Sequence, residues 1–138
     1  MNRVVVFLVD SNIIIDVLTR NALWAEWSRT ALRAAGEEGE LSINPIIYAE
    51  LASGFATAAD LDRQVEAGFF RRLPLPYEAG FVAGWAFVNY RRRGGARTSP
   101  LPDFYIGAHA AVSGLTLLTR DARRYRAYFP RVRLISPD

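Results

Sequence analysis

Four acidic residues stand where a small α/β sheet could bring their carboxylates together: Asp10, Glu50, Asp103 and Asp121. The first directly follows the apolar run Val4–Val9, and the last follows the run Leu115–Leu118. Glu50 lies on the first helix after the second predicted strand, and Asp103 begins a helix behind Pro102. Because the carboxyl ends of parallel strands form one edge of a sheet, we expect all four side chains at that edge.

A cluster of carboxylates must be neutralised, although each acid alone has a simpler interpretation. Two of the four could cap helices, one could be a turn residue, and Glu50 could lie on a solvated helix face. Two carboxylates about 4 Å apart, however, repel each other by roughly 4 kcal/mol at an effective dielectric constant near 20. An all-oxygen set suits Mg²⁺ or Mn²⁺ better than zinc. Such ions promote phosphodiester hydrolysis, so the four acids predict a metal-dependent nuclease site.

The composition excludes several other kinds of chemistry. All 17 basic residues among the 138 are arginine, and the chain has no cysteine. Lysine Schiff bases, P-loop lysines, thiolate zinc sites, disulfide scaffolds and cysteine nucleophiles are therefore excluded. The abundant guanidinium groups suit contacts with phosphates. Because an absence of cysteine suits a reducing compartment, we expect a cytoplasmic protein.

Strands and helices are predicted in alternation along the chain. The predicted strands are 4–9, 41–44, 71–75, 115–118 and 132–135, and the predicted helices are 11–18, 22–35, 46–53, 58–67, 77–93, 103–113 and 122–128. Ser11 or Asn12 is predicted to cap the first helix, Gly36 to end the second, and 91–102 to form a loop. The N-terminal apolar run is too short for a signal peptide or a membrane span, so no membrane association is expected.

This alternation predicts one α/β domain over residues 1–138. Neighbouring parallel strands need helical crossovers. The predicted fold is therefore a three-layer α/β/α sandwich around a central, mainly parallel sheet of about five strands. Ligands of such sheets bind beyond the carboxyl ends of the strands, which is the edge that should carry the four acids.

The segments around these acids resemble the PIN-domain nucleases. The matching segments are Val9-Asp10-Ser11-Asn12 with Asp16, Tyr48-Ala49-Glu50-Leu51, Leu101-Pro102-Asp103-Phe104-Tyr105-Ile106, Leu117-Leu118-Thr119-Arg120-Asp121, Phe129-Pro130 and Leu134-Ile135-Ser136-Pro137. Each motif alone is weak evidence for the family. All four acids occur in order with family-like spacing, however, and the matching segments extend over nearly the whole chain. The small size is similar to that of the VapC-type toxins of bacterial and archaeal toxin–antitoxin pairs.

The resemblance implies a PIN-like, Mg²⁺- or Mn²⁺-dependent endoribonuclease that acts as the toxin of a VapBC-type pair. The metal-binding and catalytic residues would be Asp10, Glu50, Asp103 and Asp121. RNA would be the substrate, a VapB-type antitoxin the partner, and 5′-phosphate and 3′-hydroxyl ends the products. Asn12 and Thr119 are expected as polar neighbours of the site. Many relatives carry small residues where this chain has Gly107-Ala108-His109-Ala110, and we expect His109 to be a packing residue.

Arginines should lie around the acidic centre and bind RNA phosphates: Arg91, Arg92, Arg93, Arg97 and Arg120. Their alternative role is to cap the end of the long helix and to form a solvated face. Phosphate binding predicts that substrate affinity falls as the salt concentration rises. Asp16 is expected to form a salt bridge or to lie on the surface of the first helix.

Apolar residues cover much of the long helix 77–93, among them Phe81 and Trp85, so we expect a homodimer. By resemblance, the tail of an antitoxin would occupy a groove between helices, lined by Trp24, Trp27 and Phe55.

Other functions remain open at this point. The same site would serve a PIN nuclease of RNA processing or DNA repair, and a catalytically silent interaction module could share the fold. A receiver domain would need a lysine, and a phosphatase-like domain would need aspartate at position 12, where Asn12 stands. Neither of these two is expected.

Overall fold

The computed structural model describes residues 4–98 and 101–137. The predicted bounds 1–138 and the predicted loop 91–102 include residues outside these ranges. The strands are β1 (Val5–Val9), β2 (Gly39–Ile43), β3 (Arg71–Arg72), β4 (Thr116–Leu118) and β5 (Leu134–Ile135). The helices are α1 (Ser11–Leu18), α2 (Ala25–Glu38), α3 (Pro45–Ala52), α4 (Ala58–Ala67), α5 (Tyr77–Arg92), α6 (Pro102–Ser113) and α7 (Arg123–Tyr128).

The strands of the described residues form one sheet in the order β3-β2-β1-β4-β5, and each neighbouring pair is parallel. Helix α1 packs against α2 and α3, whereas α5, α6 and α7 pack against one another. The two groups of helices flank the sheet, which confirms the predicted three-layer α/β/α sandwich. The strand order reverses beside β1, between β1 and β4. In open α/β sheets the crevice at such a reversal is where ligands bind.

The C-terminal part of the central strand β1 is buried, because strands lie along both of its edges and helices cover both faces of the sheet. Its residues Phe7, Leu8 and Val9 are at most 1% exposed. Continuous apolar composition is typical of such a parallel strand. In the described residues no helix is long and apolar enough to cross a membrane.

Aromatic packing fixes the position of α6, which carries Asp103. The rings of Phe87, Tyr90, Phe104 and Tyr128 contact one another across α5, α6 and α7. Gly107 of α6 faces Phe129, whose ring would lie 2.4 Å from an added Cβ at this position. A larger residue would therefore push α6 away from the chain that follows α7.

Several predicted element ends were wrong: α2 begins at Ala25 and not at residue 22, β2 spans Gly39–Ile43 and not 41–44, and β5 begins at Leu134 and not at residue 132. Helix α2 continues through Gly36 and ends at Glu38, with Gly39 as its C-cap, because one glycine costs only about 1 kcal/mol within a helix. Gly39 pairs with Val5 across the sheet, and an added Cβ there would lie 1.9 Å from the Val5 carbonyl oxygen. Strand β3 is shorter than predicted, since Pro74 and Pro76 have no N–H to continue the pairing.

Candidate active site

Asp10 lies at the junction of β1 and α1. Its backbone N–H donates to the Leu118 carbonyl oxygen at 2.9 Å, next to the last β1–β4 pair. Its side chain accepts the Ser11 N–H at 2.8 Å and caps α1. The predicted cap, Ser11 or Asn12, was therefore wrong by one or two residues, because the extended backbone continues through Asp10. The carboxylate is held at the reversal point of the sheet.

Asp10 is 4% exposed, and hydroxyl groups surround its carboxylate. Oδ2 accepts hydrogen bonds from Thr119 Oγ1 and from the Tyr125 hydroxyl, each at 2.9 Å. Burial, with a further contribution from the charge of Asp103, raises the pKa of Asp10 to about 6, although these hydrogen bonds act in the opposite direction. The ionised form of Asp10 would therefore be stabilised by a cation.

Glu50 lies on α3 and faces the start of α1. Its Oε1 accepts the Ser11 hydroxyl at 3.0 Å. Burial raises the pKa of Glu50, and the charges of Asp10 and Asp103 raise it further. The three carboxylates therefore share one electrostatic environment.

A buried hydrogen bond joins the helix of Glu50 to the helix of Asp103. Asn44 caps α3 by accepting the Ile47 N–H at 2.9 Å, and its Nδ2 lies 3.0 Å from His109 Nδ1 on α6. His109 is 2% exposed, and burial lowers its pKa. The prediction that His109 is a packing residue is confirmed, and the ring also contacts the residue that caps α3.

Asp103 lies in the first turn of α6 and contacts α7 through both of its oxygens. The Tyr125 hydroxyl lies 3.3 Å from Oδ1, and Arg124 Nη1 donates to Oδ2 at 3.3 Å. Burial and the nearby acids raise the pKa of Tyr125 well above its usual value, so the phenol keeps its proton. One hydroxyl thus contacts both Asp10 and Asp103.

Asn12 and Thr119 lie beside Asp10, whereas the Asp121 side chain is exposed. Thr119 Oγ1 accepts the Asn12 Nδ2 amide at 3.3 Å and the Asp121 N–H at 3.2 Å. Asn12 Oδ1 accepts the Arg120 N–H at 3.1 Å. Asp121 therefore lies at the predicted edge and meets Thr119 through its backbone, and metal binding by its carboxylate stays a prediction.

Asp16 and Arg120 form a largely buried ion pair. Arg120 Nε and Nη2 donate to the two oxygens of Asp16 at 2.7 and 3.0 Å, and Ser28 Oγ donates at 2.8 Å. Asp16 is 1% exposed, and the guanidinium of Arg120 lies 5.5 Å from the Trp24 ring centroid. The predicted salt bridge of Asp16 is confirmed and its surface position was wrong. A phosphate contact by Arg120 stays a prediction.

The remaining predicted phosphate-binding arginines are exposed at the end of α5 and just after it. Arg91 Nη1 donates to the Arg97 carbonyl oxygen at 2.8 Å. Arg93 lies over the Tyr128 ring, 4.8 Å from its centroid, and donates to Ala127. This contact brings the end of α5 to α7, the helix whose first turn carries Arg124 and Tyr125.

The donor set suits a hard divalent cation that keeps part of its water shell. In residues 4–98 and 101–137, no three aspartate, glutamate or histidine side chains are grouped closely enough to hold a metal ion by themselves. Mg²⁺ in nucleotide-processing sites is typically held by one or two carboxylates, with waters and substrate phosphates completing the octahedron. Asp10 and Asp103, joined by Tyr125, meet that requirement.

A groove between α1, α2 and α4 leads toward Glu50. It contains an apolar cavity of about 380 Å³, lined by Ile14, Val17, Leu18, Leu32, Arg33, Leu41, Leu51, Leu61, Gln64, Val65, Ala67, Gly68 and Phe70. An adjoining cavity of about 390 Å³ shares Leu18, Leu51 and Gln64 with it and is bordered by Glu50 and Phe55. Of the predicted aromatic lining, Phe55 lies here, Trp24 lies beside Arg120, and Trp27 packs against the core.

The contacts of Ser11 and Tyr125 with the acids were missed by the sequence analysis. Ser11 lies in the segment that carries the resemblance, but its partner Glu50 is distant in sequence. Tyr125 occurs one turn after Asp121, on a helix that follows the site edge. That position was the available signal for a residue able to reach the site.

Comparisons with known proteins agree with this architecture. The family model described as PIN domain matches residues 7–130. No curated protein matches the chain.

Several solved structures share the fold. In the structure of VapBC2 from Rickettsia felis bound to a promoter DNA fragment, a chain matches with 16% identity and a TM-score of 0.74, over 96% of this chain and 99% of that one. A chain of VapBC-1 from nontypeable Haemophilus influenzae matches with 18% identity and a TM-score of 0.71, over 95% and 97%. A chain of DNA-bound VapBC from Salmonella typhimurium matches with 22% identity and a TM-score of 0.67, over 96% and 98%.

Proposed function

Because the chain belongs to the PIN domain family, we propose that it is a metal-dependent endoribonuclease and the toxin of a VapBC-type toxin–antitoxin pair. The observation that carries this proposal is the buried carboxylate of Asp10, which shares one hydroxyl with Asp103 and one electrostatic environment with Glu50. The fold likeness to chains of VapBC complexes supports the toxin assignment.

Mg²⁺ or Mn²⁺ would be held by Asp10 and Asp103, with Glu50 and Asp121 completing the site directly or through water. When bound, the ion would lower the pKa of water and neutralise charge that develops on the phosphate. The surrounding protein residues position these ligands: Thr119 and Tyr125 orient Asp10, and Ser11 orients Glu50.

Glu50 is suited to accept a proton from the attacking water. Its carboxylate is half-buried, and burial raises its pKa toward the range that general bases use. The Ser11 hydroxyl donates to Oε1 and would hold the carboxylate in place for this proton transfer.

RNA would approach over the arginines at the end of α5. Arg91, Arg92 and Arg97 are exposed. They would contact phosphates next to the scissile bond, while Arg93 is held against Tyr128. The same charge would favour RNA over neutral substrates.

The partners would be a VapB-type antitoxin and a second copy of the chain, in the cytoplasm. The apolar groove between α1, α2 and α4 is suited to an antitoxin segment, because it adjoins the cavity at Glu50. Phe81 and Trp85 of α5 are 69% and 51% exposed and form an edge-to-face pair. Covering this pair would favour a homodimer, which sedimentation of Trp85→Ser against wild type would test.

Incubating the purified protein with transfer and ribosomal RNA, with Mn²⁺ or with a chelator, tests the nuclease activity. We expect cleavage with Mn²⁺, none with the chelator, and none for Asp103→Asn. Glu66→Gln, which changes an exposed acid of α4, is the matched control and should cleave like wild type. Cleavage by Asp103→Asn at the wild-type rate would refute the assignment.

The toxin role has a separate test. Induced expression should arrest growth, and coexpression of a small neighbouring antitoxin gene should restore it. Active nuclease without growth arrest would favour a role in RNA processing or DNA repair.

A further inference from the structure

The Tyr125 side chain joins two acids that belong to different helices. It is 1% exposed, and its hydroxyl lies 2.9 Å from Asp10 Oδ2 and 3.3 Å from Asp103 Oδ1. Asp10 caps α1 and Asp103 lies in the first turn of α6, whereas Tyr125 lies on α7. A residue of a third helix, α7, therefore contacts both carboxylates.

We propose that Tyr125 is a positioning residue that sets the spacing of Asp10 and Asp103 for a divalent cation. This inference rests on the proposed function, since it concerns the same metal site. It assigns to α7 a role in building the site, in addition to its packing against α5 and α6.

The hydrogen bonds around Asp10 show how this positioning works. Each carboxylate oxygen has two lone-pair directions. Oδ2 accepts both Thr119 and Tyr125, so its two directions are filled. Oδ1 accepts only the Ser11 N–H among these contacts, which leaves it a free direction. The two hydroxyls therefore fix the rotation of the carboxylate and leave Oδ1 available to a cation.

Two consecutive residues of α7 approach the carboxylate of Asp103. Arg124 donates to Oδ2 and the Tyr125 hydroxyl meets Oδ1, so consecutive residues of α7 contact one carboxylate. Arg124 is 39% exposed at its side chain and Asp103 34%, so solvent screens this ion pair. The Tyr125 contact, in contrast, comes from a side chain that is 1% exposed.

Packing alone does not require the phenol oxygen. A phenylalanine at position 125 would fill the same space among the core residues, but it would leave Asp10 Oδ2 with the Thr119 contact alone. Residues that hydrogen-bond to metal ligands commonly change metal affinity 10- to 100-fold when they are replaced. The hydroxyl and the ring can therefore be separated by a single substitution.

Titration of Mn²⁺, followed by electron paramagnetic resonance of the free ion, tests the proposal on the full chain. For Tyr125→Phe we expect a dissociation constant about 10- to 100-fold higher than for wild type. Tyr128→Phe is the matched control, because Tyr128 lies on the same helix and its ring packs against Phe104. This variant should bind Mn²⁺ like wild type.

A further measurement separates positioning from a structural role. Urea denaturation without metal reports whether each variant is folded and how much stability it has lost.

The possible outcomes are distinct. If wild type takes up no Mn²⁺, the proposed function and this inference both fail. If wild type binds Mn²⁺ and Tyr125→Phe binds it within twofold as tightly, only the positioning role fails. A loss of stability in Tyr125→Phe with an unchanged dissociation constant would also overturn it.

Discussion

The side-chain amide of Asn44 lies 3.0 Å from Nδ1 of His109, so one buried contact joins α3, which carries Glu50, to α6, which carries Asp103. Asn44 Oδ1 already accepts the Ile47 N–H, and Nδ2 therefore faces the ring. This network assigns His109 Nδ1 as the acceptor and places the ring proton on Nε2. His109 is thus neutral when the two helices are correctly positioned.

Replacing Asn44 with alanine should lower the free energy of unfolding by about 2–3 kcal/mol, because it removes a helix cap and leaves a buried ring nitrogen without a partner. Urea denaturation measures this loss. Thr57→Ala is the control, since Thr57 caps the exposed start of α4 and contacts no second element through this bond. It should cost about 1 kcal/mol. Equal losses for the two variants would contradict the role of the His109 contact.

Acidification should weaken the fold through His109. Burial holds its pKa below the ordinary value of 6.5. The unfolded chain then binds more protons than the folded protein, so stability from this group is present above pH 6.5 and is lost as the pH falls through the folded pKa. Urea denaturation between pH 7.5 and pH 5 should show a smaller loss for His109→Gln than for wild type. Parallel losses would exclude His109 as the cause.

Asp10→Asn should abolish cleavage and stabilise the metal-free protein above pH 6. The folded pKa of Asp10 is about 6, against 3.8 in the unfolded chain. The folded protein therefore binds more protons between these values, and the contribution of this carboxyl to stability is lost as the pH rises through about 6. The gain at pH 8 should be at most about 3 kcal/mol.

The pH profile of Asp10→Asn is the decisive measurement, because asparagine does not titrate and still caps a helix. Its advantage over wild type in urea denaturation should shrink toward pH 4. Glu66→Gln should follow the wild-type profile. An advantage that is independent of pH would mean that lost charge at position 10 is not the cause.

The parts of this site that could be predicted from the sequence are those that depend on residues close together in the chain. Asp10 and Asp103 could be predicted, since each stands at the end of a strand or the start of a helix and at a motif position. The contact of Tyr125 with both could not, because it depends on the angle at which α7 crosses the sheet edge. It also depends on contacts between residues distant in sequence, such as Phe129, just after α7, packing onto Gly107 of α6.

The same distinction explains Arg120 and Asp16. Next to Asp121 in sequence, Arg120 looks like a phosphate ligand. In the structure its Nε and Nη2 point toward Asp16, whose burial follows from the packing of α1 against α2. Sequence spacing placed these charges near the site but could not say which of them pair with each other.

Arg120→Ala should destabilise the protein by about 3–5 kcal/mol, because it leaves Asp16 buried without its ionic partner. Thermal or urea denaturation measures the effect, and Arg97→Ala, at an exposed position, should cost less than about 0.5 kcal/mol. Adding Asp16→Asn to Arg120→Ala should restore part of the loss. A stable Arg120→Ala variant with weakened RNA binding would instead assign this arginine to the substrate.

Replacing Arg91, Arg92 and Arg97 with glutamine should weaken binding to all RNA sequences to a similar extent. The logarithm of the affinity falls as the logarithm of the salt concentration rises, and each lost phosphate contact should reduce the magnitude of this slope by about 1. Binding of the inactive Asp103→Asn background to RNA, measured from dilute to physiological salt, would show this. Arg29→Gln on α2 is the control, and a triple variant with the wild-type slope would place RNA elsewhere.

One side chain, Asp10, both caps α1 and supplies the carboxylate at the point where the strand order reverses. Asparagine and serine start helices as well as aspartate does. A single nucleotide change could therefore turn off the chemistry while every strand and helix stayed in place. Loss of activity and loss of folding are therefore separable at this position. Non-cleaving descendants of such a nuclease could arise by one substitution and persist as binding proteins.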